Sequence, residues 1–309
     1  MQTGIDSYKL YNHPPPGYAV NYDECFYHSQ RYLDSQDEKP QCSFFLSQPD
    51  NEVLGKIHFY KHGDQAISQL HAPYGSFNSA NISREAAERF LSYSIKSLSD
   101  LGFKQILIQH PADCYQDSTM WTDLLAHNGF SVRNQVNHHL SIDRPLKEKM
   151  HLMEQRKLSK CQQFEFEVNP VASLSKIYSF INCCRKERKQ SLSLSYGRLE
   201  QVVKTSPDNF VLCTVKYGNL LAAASIVIKV NSSCWYQFYP AHSRQFDRVS
   251  PLVFLISKLY QYAASHSVKV LDLGPSEVNG QPLPGLLQFK NRLGAVISYK
   301  KYYSKTIDN

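Results

Sequence analysis

Residues 268–301 read VKVLDLGPSEVNGQPLPGLLQFKNRLGAVISYKK. The apolar run Val268 to Leu273 predicts a strand, with Asp272 near its carboxyl end. A Gly/Pro loop follows, then Pro284 opens a helix that carries Phe289-Lys290 and stops at Gly294, and Val296 to Tyr302 predict a further strand. Ligands in open α/β sheets gather where strands end and loops begin, so Asp272 and Lys290 are candidates to face one cleft.

Upstream of this stretch, Phe210 to Lys216, Leu220 to Val230 and Cys234 to Tyr239 predict three strands joined by the turns Tyr217-Gly218-Asn219 and Asn231-Ser232-Ser233. Ser250-Pro251 then reads as the N-cap and first-turn proline of a helix through Ala264. Before the strands, Leu174, Ile177, Ile181 and Cys184 line one face of a helix over 173–188, and 197–204 predicts another.

The first half repeats this order. Strands are expected at Cys42 to Ser47, Val53 to Tyr60 and Ala66 to His71, followed by a helix from Ser83 to Gly102. Strand Gln105 to Gln109, a helix from Ser118 to His127 and strand Ser131 to Ile142 complete it, and 23–33 predicts an opening helix. Asp143-Arg144-Pro145 marks the boundary, giving units of 1–143 and 144–309, with the active cleft expected in the second.

Helix, three antiparallel strands, helix, strand, helix, strand, written twice, resembles the tandem GNAT arrangement of the Fem-type aminoacyltransferases and related N-acyltransferases. The residues that carry the resemblance are Gln237 to Tyr239, Arg248-Val249-Ser250-Pro251, Asp272-Leu273-Gly274, and Phe289-Lys290 with Gly294. It implies an α/β (α+β) fold of two GNAT-like domains, each a mixed, mostly antiparallel sheet flanked by helices. It also implies transfer of an acyl or aminoacyl group to an amine on a cell-envelope precursor or sugar nucleotide. Acyl-CoA or aminoacyl-tRNA would be the co-substrate, with no permanently bound cofactor.

In that chemistry Asp272 manages the amine's proton, Tyr239 donates to the leaving group and Lys290 neutralises an oxyanion or phosphate, while Arg248, Ser250 and Phe289 hold the donor. Each has a plainer alternative: Asp272 as a turn acceptor, Tyr239 as packing, Lys290 as an exposed lysine complementing a helix dipole. A fold-preserving, catalytically silent protein that binds an anionic nucleotide-like ligand is the alternative for the whole chain. The segment from Arg244 to Pro251 lacks the glycines with which GNAT enzymes cradle a pyrophosphate, so acetyl-CoA is expected to bind weakly. Between Leu146 and Asn169 there is room for a short helix at most, which leaves no space for a coiled-coil arm.

Composition sets the frame. The chain has 309 residues, enough for two cores, and its net charge of +7 favours a small anionic substrate, nucleotide-linked or phosphorylated, with tRNA or an acidic membrane face as further partners and no DNA. Met1 to Val20 shows no apolar segment behind a basic head, so a cytoplasmic location is expected. The eight cysteines have no framework spacing and read as reduced. His58 and His62, and His138-His139, read as surface or core-edge residues and offer no closed set of metal ligands.

Overall fold

The computed structural model describes residues 8–115, 119–278 and 280–307. The chain forms two compact units, one of Met1–Gln135 with Tyr299–Asn309 and one of Val136–Ser298. Asp143, at which the sequence reading divides the chain, therefore falls inside the second unit. A strand does end before this point, at Ser141, but its residues 137–141 already pair within the second unit. Residues 300–306, in turn, pair within the first.

The first unit begins with β1 (Lys9–Tyr11), β2 (Ala19–Val20), α1 (Gln30–Ser35), β3 (Cys42–Ser47), β4 (Glu52–His62), β5 (Gln65–Ile67) and β6 (Asn78–Ser79). It continues through α2 (Arg84–Asp100), β7 (Gln105–Ala112) and α3 (Thr119–His127), and the chain passes on through β8 (Ser131–Ser141). The helix start expected at Ser118 lies outside the described residues. In place of a helix over 23–33 there is a single 3-10 turn at Phe26–His28 followed by the short α1. The strand expected to reach His71 stops at Ile67.

Antiparallel pairs β1–β3, β3–β4 and β4–β5 lead to the parallel pair β5–β7. Helix α2 begins where Ser83 Oγ accepts the Ala86 N–H, and it buries Ala86, Ala87, Phe90, Leu91 and Leu98, a spacing that places them on one face. That stripe packs with Phe44, Ile57 and Phe59 of the sheet and with Trp121 of α3, whose ring stacks on Phe77 at 4.2 Å.

The second unit adds α4 (Leu146–Lys149), α5 (Leu152–Ser159), β9 (Phe164–Asn169), α6 (Leu174–Glu187), α7 (Tyr196–Thr205), β10 (Phe210–Tyr217), β11 (Leu220–Lys229) and β12 (Cys234–His242). Next come α8 (Pro251–Ser265), β13 (Val270–Pro275), the hairpin β14–β15 (Glu277–Val278, Gln281–Pro282), α9 (Pro284–Arg292) and β16 (Val296–Thr306). Strand β9 was not anticipated; it pairs antiparallel with β10 and gives that sheet its outer strand.

Strands β10, β11 and β12 are antiparallel neighbours, β13 joins β12 in parallel, and β8 closes on β13 antiparallel. Strands β10 and β11 are buried along almost their whole length, which is why their sequences run apolar without alternation. Helix α8 buries Val253, Leu255, Ile256, Leu259 and Ala263 against them, together with Trp235 and Val268. Leu174, Ile177, Ile181 and Cys184 form the buried stripe of α6.

Candidate active site

Strands β12 and β13 pair only from Cys234/Val270 to Tyr236/Asp272. Beyond that point β12 runs on to His242 while β13 stays paired on its other edge with β8 as far as Pro275, so the two parallel strands part company. A bulge sits at the same place. Ile226 opposes Tyr239 and Val227 opposes Gln237, which leaves Phe238 as the extra residue and redirects β12. A cavity of about 600 Å³ opens here, walled by β12, the end of β13, α8, α9 and the C-terminal end of α6.

Lys290 lies in this wall. It is 5% exposed, and its ammonium donates to the carbonyls of Gly274 (2.7 Å) and Pro275 (2.9 Å). Burial holds its pKa down to about 8, opposed by the negative charge of Asp272. The expectation of an exposed lysine in a last helical turn is thus corrected. Lys290 is the buried residue of α9, and its side chain reaches the carbonyls at the end of β13.

Asp272 is 1% exposed and lies behind the cavity rather than on it. Its Oδ1 accepts from the Gly274 N–H at 2.7 Å and from Asn137 Nδ2 at 2.8 Å. Gly274 has φ +77°, and an added Cβ would stand 3.2 Å from the Tyr236 ring. Asp272 therefore fixes the turn that presents the two carbonyls to Lys290, and it places a negative charge near the ammonium. Of the pair read from the sequence, Lys290 faces the cavity and Asp272 supports it from beneath.

The other candidates separate. Phe289 lines the cavity beside Lys290. Tyr239 does not; its hydroxyl exchanges a hydrogen bond with Ser193 Oγ (2.6 Å) and accepts from the Leu194 N–H (2.9 Å), tying β12 to the segment before α7. The bulge breaks the alternation here: the Tyr239 ring stacks on Phe238 at 3.8 Å, and its hydroxyl is taken up by residues 193–194 rather than by the cavity. Arg248 is exposed and not part of the cavity wall. Ser250 is the N-cap of α8 and Pro251 opens its first turn, as the sequence predicts, but Ser250 has φ +54° and makes no side-chain cap bond.

Four residues to which the sequence assigns no site role line the cavity. Arg185 and Arg188 come from the last turn of α6, and Gln237 and His242 from β12. Arg188 Nη2 stands 3.1 Å from His242 Nε2 and 3.2 Å from Asp247 Oδ1, while His242 Nε2 is 2.8 Å from the same carboxylate. Burial, then the Arg188 charge, lowers the His242 pKa. The available signal was the basic run 185–189 ending an amphipathic helix, whose inward members only the packing of α6 reveals. His58 and His138 prove buried rather than peripheral. Among the described residues no cluster of His, Cys, Asp or Glu is placed to hold a metal ion, and no helix is long and apolar enough to cross a membrane.

No protein-family model matches the chain, and no curated protein matches it by sequence. Solved structures do match. The crystal structure of FemX superimposes with a TM-score of 0.71 at 13% identity, covering 92% of this chain and 93% of that one. The C-terminal domain of a putative lysylphosphatidylglycerol synthetase from Agrobacterium fabrum gives 0.59 at 11% identity, over 82% and 81%. A tandem GNAT protein from the clavulanic acid biosynthesis pathway gives 0.50 at 10% identity, over 90% and 88%. The chain has the fold of Fem-type and tandem GNAT proteins.

Proposed function

We propose that the cavity between β12 and β13 is an acyl-transfer site, and that the protein moves an acyl or aminoacyl group from coenzyme A or aminoacyl-tRNA to an amine. The observation that carries this reading is Lys290, a buried ammonium pinned by two carbonyls on the wall of a cavity that opens where two parallel strands separate. The shared fold with FemX, with a lysylphosphatidylglycerol synthetase domain and with a tandem GNAT protein supports the same chemistry. An amine on a cell-envelope precursor or sugar nucleotide, encountered in the cytoplasm, is the acceptor this reading favours, and the cations Arg185, Arg188 and Lys189 on the cavity wall suit its negative charge.

Transfer begins when the neutral amine attacks the thioester or ester carbonyl; a C–N bond forms, and the carbonyl oxygen becomes an oxyanion. Lys290, held in a poorly solvated site, stabilises that charge more strongly than an exposed lysine would. The C–S or C–O bond then breaks, and the nitrogen's proton passes to the departing sulfur or oxygen, directly or through water. Asp272 acts as a positioning residue through Gly274 and the ammonium, and Phe289 shapes the apolar side of the cavity.

Labelled acyl-CoA and charged tRNA, each offered with amine-bearing nucleotide-linked acceptors, test the proposal. Label should appear on the acceptor with one donor class and be lost in Lys290→Met. Binding of the nucleotide without transfer from either donor class would instead favour the silent-binding alternative.

A further inference from the structure

Arg185 meets only neutral acceptors. Its Nη1 donates to Gln190 Oε1 at 2.8 Å and its Nη2 to the Pro240 carbonyl at 3.1 Å, while the buried Nε–H has no acceptor. Arg188, one turn on, faces the Asp247 carboxylate at 3.2 Å, so its charge is balanced. Among the described residues no carboxylate pairs with Arg185 in this way. Gln237, on the β12 wall of the same cavity, is 3% exposed, and its Nε2 also has no acceptor.

A guanidinium cannot shed its proton to escape burial. A half-buried charge without a counter-ion and a buried amide donor without an acceptor are each unfavourable. Here both line one cavity, on α6 and on the strand to which Arg185 is tied through Pro240. Water could satisfy the amide donor, but it leaves the guanidinium charge uncompensated. The group that answers both has oxygen acceptors and a negative charge.

We propose that Arg185 and Gln237 form an oxyanion subsite that takes a phosphate or carboxylate carried by the substrate. Arg185 supplies the charge and its Nε–H, and Gln237 supplies amide donors that fix the oxyanion's orientation. Lys290, on the α9 wall, is left for the reacting carbonyl. The subsite rests on the acyl-transfer reading for the identity of its substrate, but its binding test does not require turnover.

The test uses the full chain with inorganic phosphate, pyrophosphate and succinate as probes, followed by thermal shift and calorimetry. At least one probe should stabilise the wild type. Its Kd should weaken tenfold or more in both Gln237→Leu and Arg185→Lys, and whether the phosphates or succinate act identifies the group. Unliganded Gln237→Leu should melt no lower than the wild type, because it removes an unmet donor and adds nothing polar; this variant alone decides if Arg185→Lys folds poorly. Failure of all three probes on the wild type, or unchanged affinity in Gln237→Leu, overturns the subsite. A Gln237→Leu protein that melts well below the wild type and is indifferent to the probes does so too, because Gln237 would then be serving Arg185 through its oxygen. Transfer activity without anion binding refutes the subsite alone. Anion binding lost in both variants, with no transfer from any donor, refutes the acyl-transfer reading and leaves the subsite standing.

Discussion

Replacing Lys290 by Met separates the charge of this residue from its bulk. The ordinary lysine pKa of 10.5 falls to about 8 in the folded chain, chiefly through burial. At ~1.4 kcal/mol for each tenfold change in proton affinity, holding the ammonium in place disfavours the native state by about 3 kcal/mol below pH 8. Methionine removes that penalty but leaves the Gly274 and Pro275 carbonyls without their donor, a loss of about 1 kcal/mol each. Near pH 7 the variant should therefore be as stable as the wild type or more so, by about 1 kcal/mol. The decisive reading is the pH dependence. Between about 8 and 10.5 the unfolded lysine holds a proton that the folded one has lost, so wild-type stability rises with pH, and the Met variant lacks this contribution. Urea unfolding of both proteins near neutral pH and near pH 9.5 should show the variant's stability relative to the wild type falling by about 2 kcal/mol. Parallel stability–pH profiles would refute the claim that a charged lysine is buried here.

Acid should weaken the first unit, because burial holds His28 and His110 near a pKa of about 3. Both bind protons more weakly folded than unfolded, so stability falls as pH drops from about 6.5 towards 3, by up to ~1.4 kcal/mol per pH unit for each; His110→Gln should flatten the profile measured by thermal melting. Tyr239→Phe should lower stability by about 1 kcal/mol through the lost Ser193 and Leu194 bonds while changing transfer far less than Lys290→Met, as urea unfolding and a transfer assay would show. Ser250→Gly should raise the melting temperature, since a left-handed non-glycine residue costs about 1 kcal/mol and no side-chain cap bond offsets it. Acetyl-CoA should bind weakly, because side chains across Arg244 to Pro251 hinder close backbone approach to a pyrophosphate; micromolar affinity by calorimetry would contradict this.

The fold was legible wherever period and punctuation agreed. Ser83 and the stripe from Ala86 to Leu98 announced α2, and Leu174 to Cys184 announced α6. Strand β9 escaped because FEFEVN alternates over only six residues behind a basic helical stretch. The site was legible only in part. Phe289-Lys290 pointed to the cavity, but burial of Lys290 depends on the turn that Asp272 and Asn137 hold, and Asn137 lies 135 positions away in sequence. The facing of Tyr239 depends on a bulge that one sequence does not display. Arg185 and Gln237 matter through what they lack, and missing partners are visible only once the neighbours are in place.

The two units build the same parallel step, yet they finish it differently. In the first, β5 and β7 pair to Ile67/Leu107, and the chain after β5 then turns back along β7. Ser68 N–H donates to the Leu107 carbonyl, Ser68 Oγ accepts from the Gln109 N–H, and the Gly75 N–H donates to the Gln109 carbonyl, while Ser76 Oγ bonds the buried His110. The loop lies so close that an added Cβ on Gly75 would stand 2.3 Å from the Ser68 carbonyl oxygen. The loop's backbone and the Ser68 hydroxyl therefore take up the Gln109 N–H and carbonyl beyond Leu107. In the second unit, β12 stays extended past Tyr236, bulges at Phe238 and diverges from β13, so the corresponding space remains a cavity lined by Lys290, Gln237 and Arg185. A buried polar wall without backbone partners is stable only when side chains, water or a ligand satisfy it. On the cavity wall of the second unit that requirement rests on Arg185 and Gln237, whose Nε and Nε2 donors have no protein acceptor.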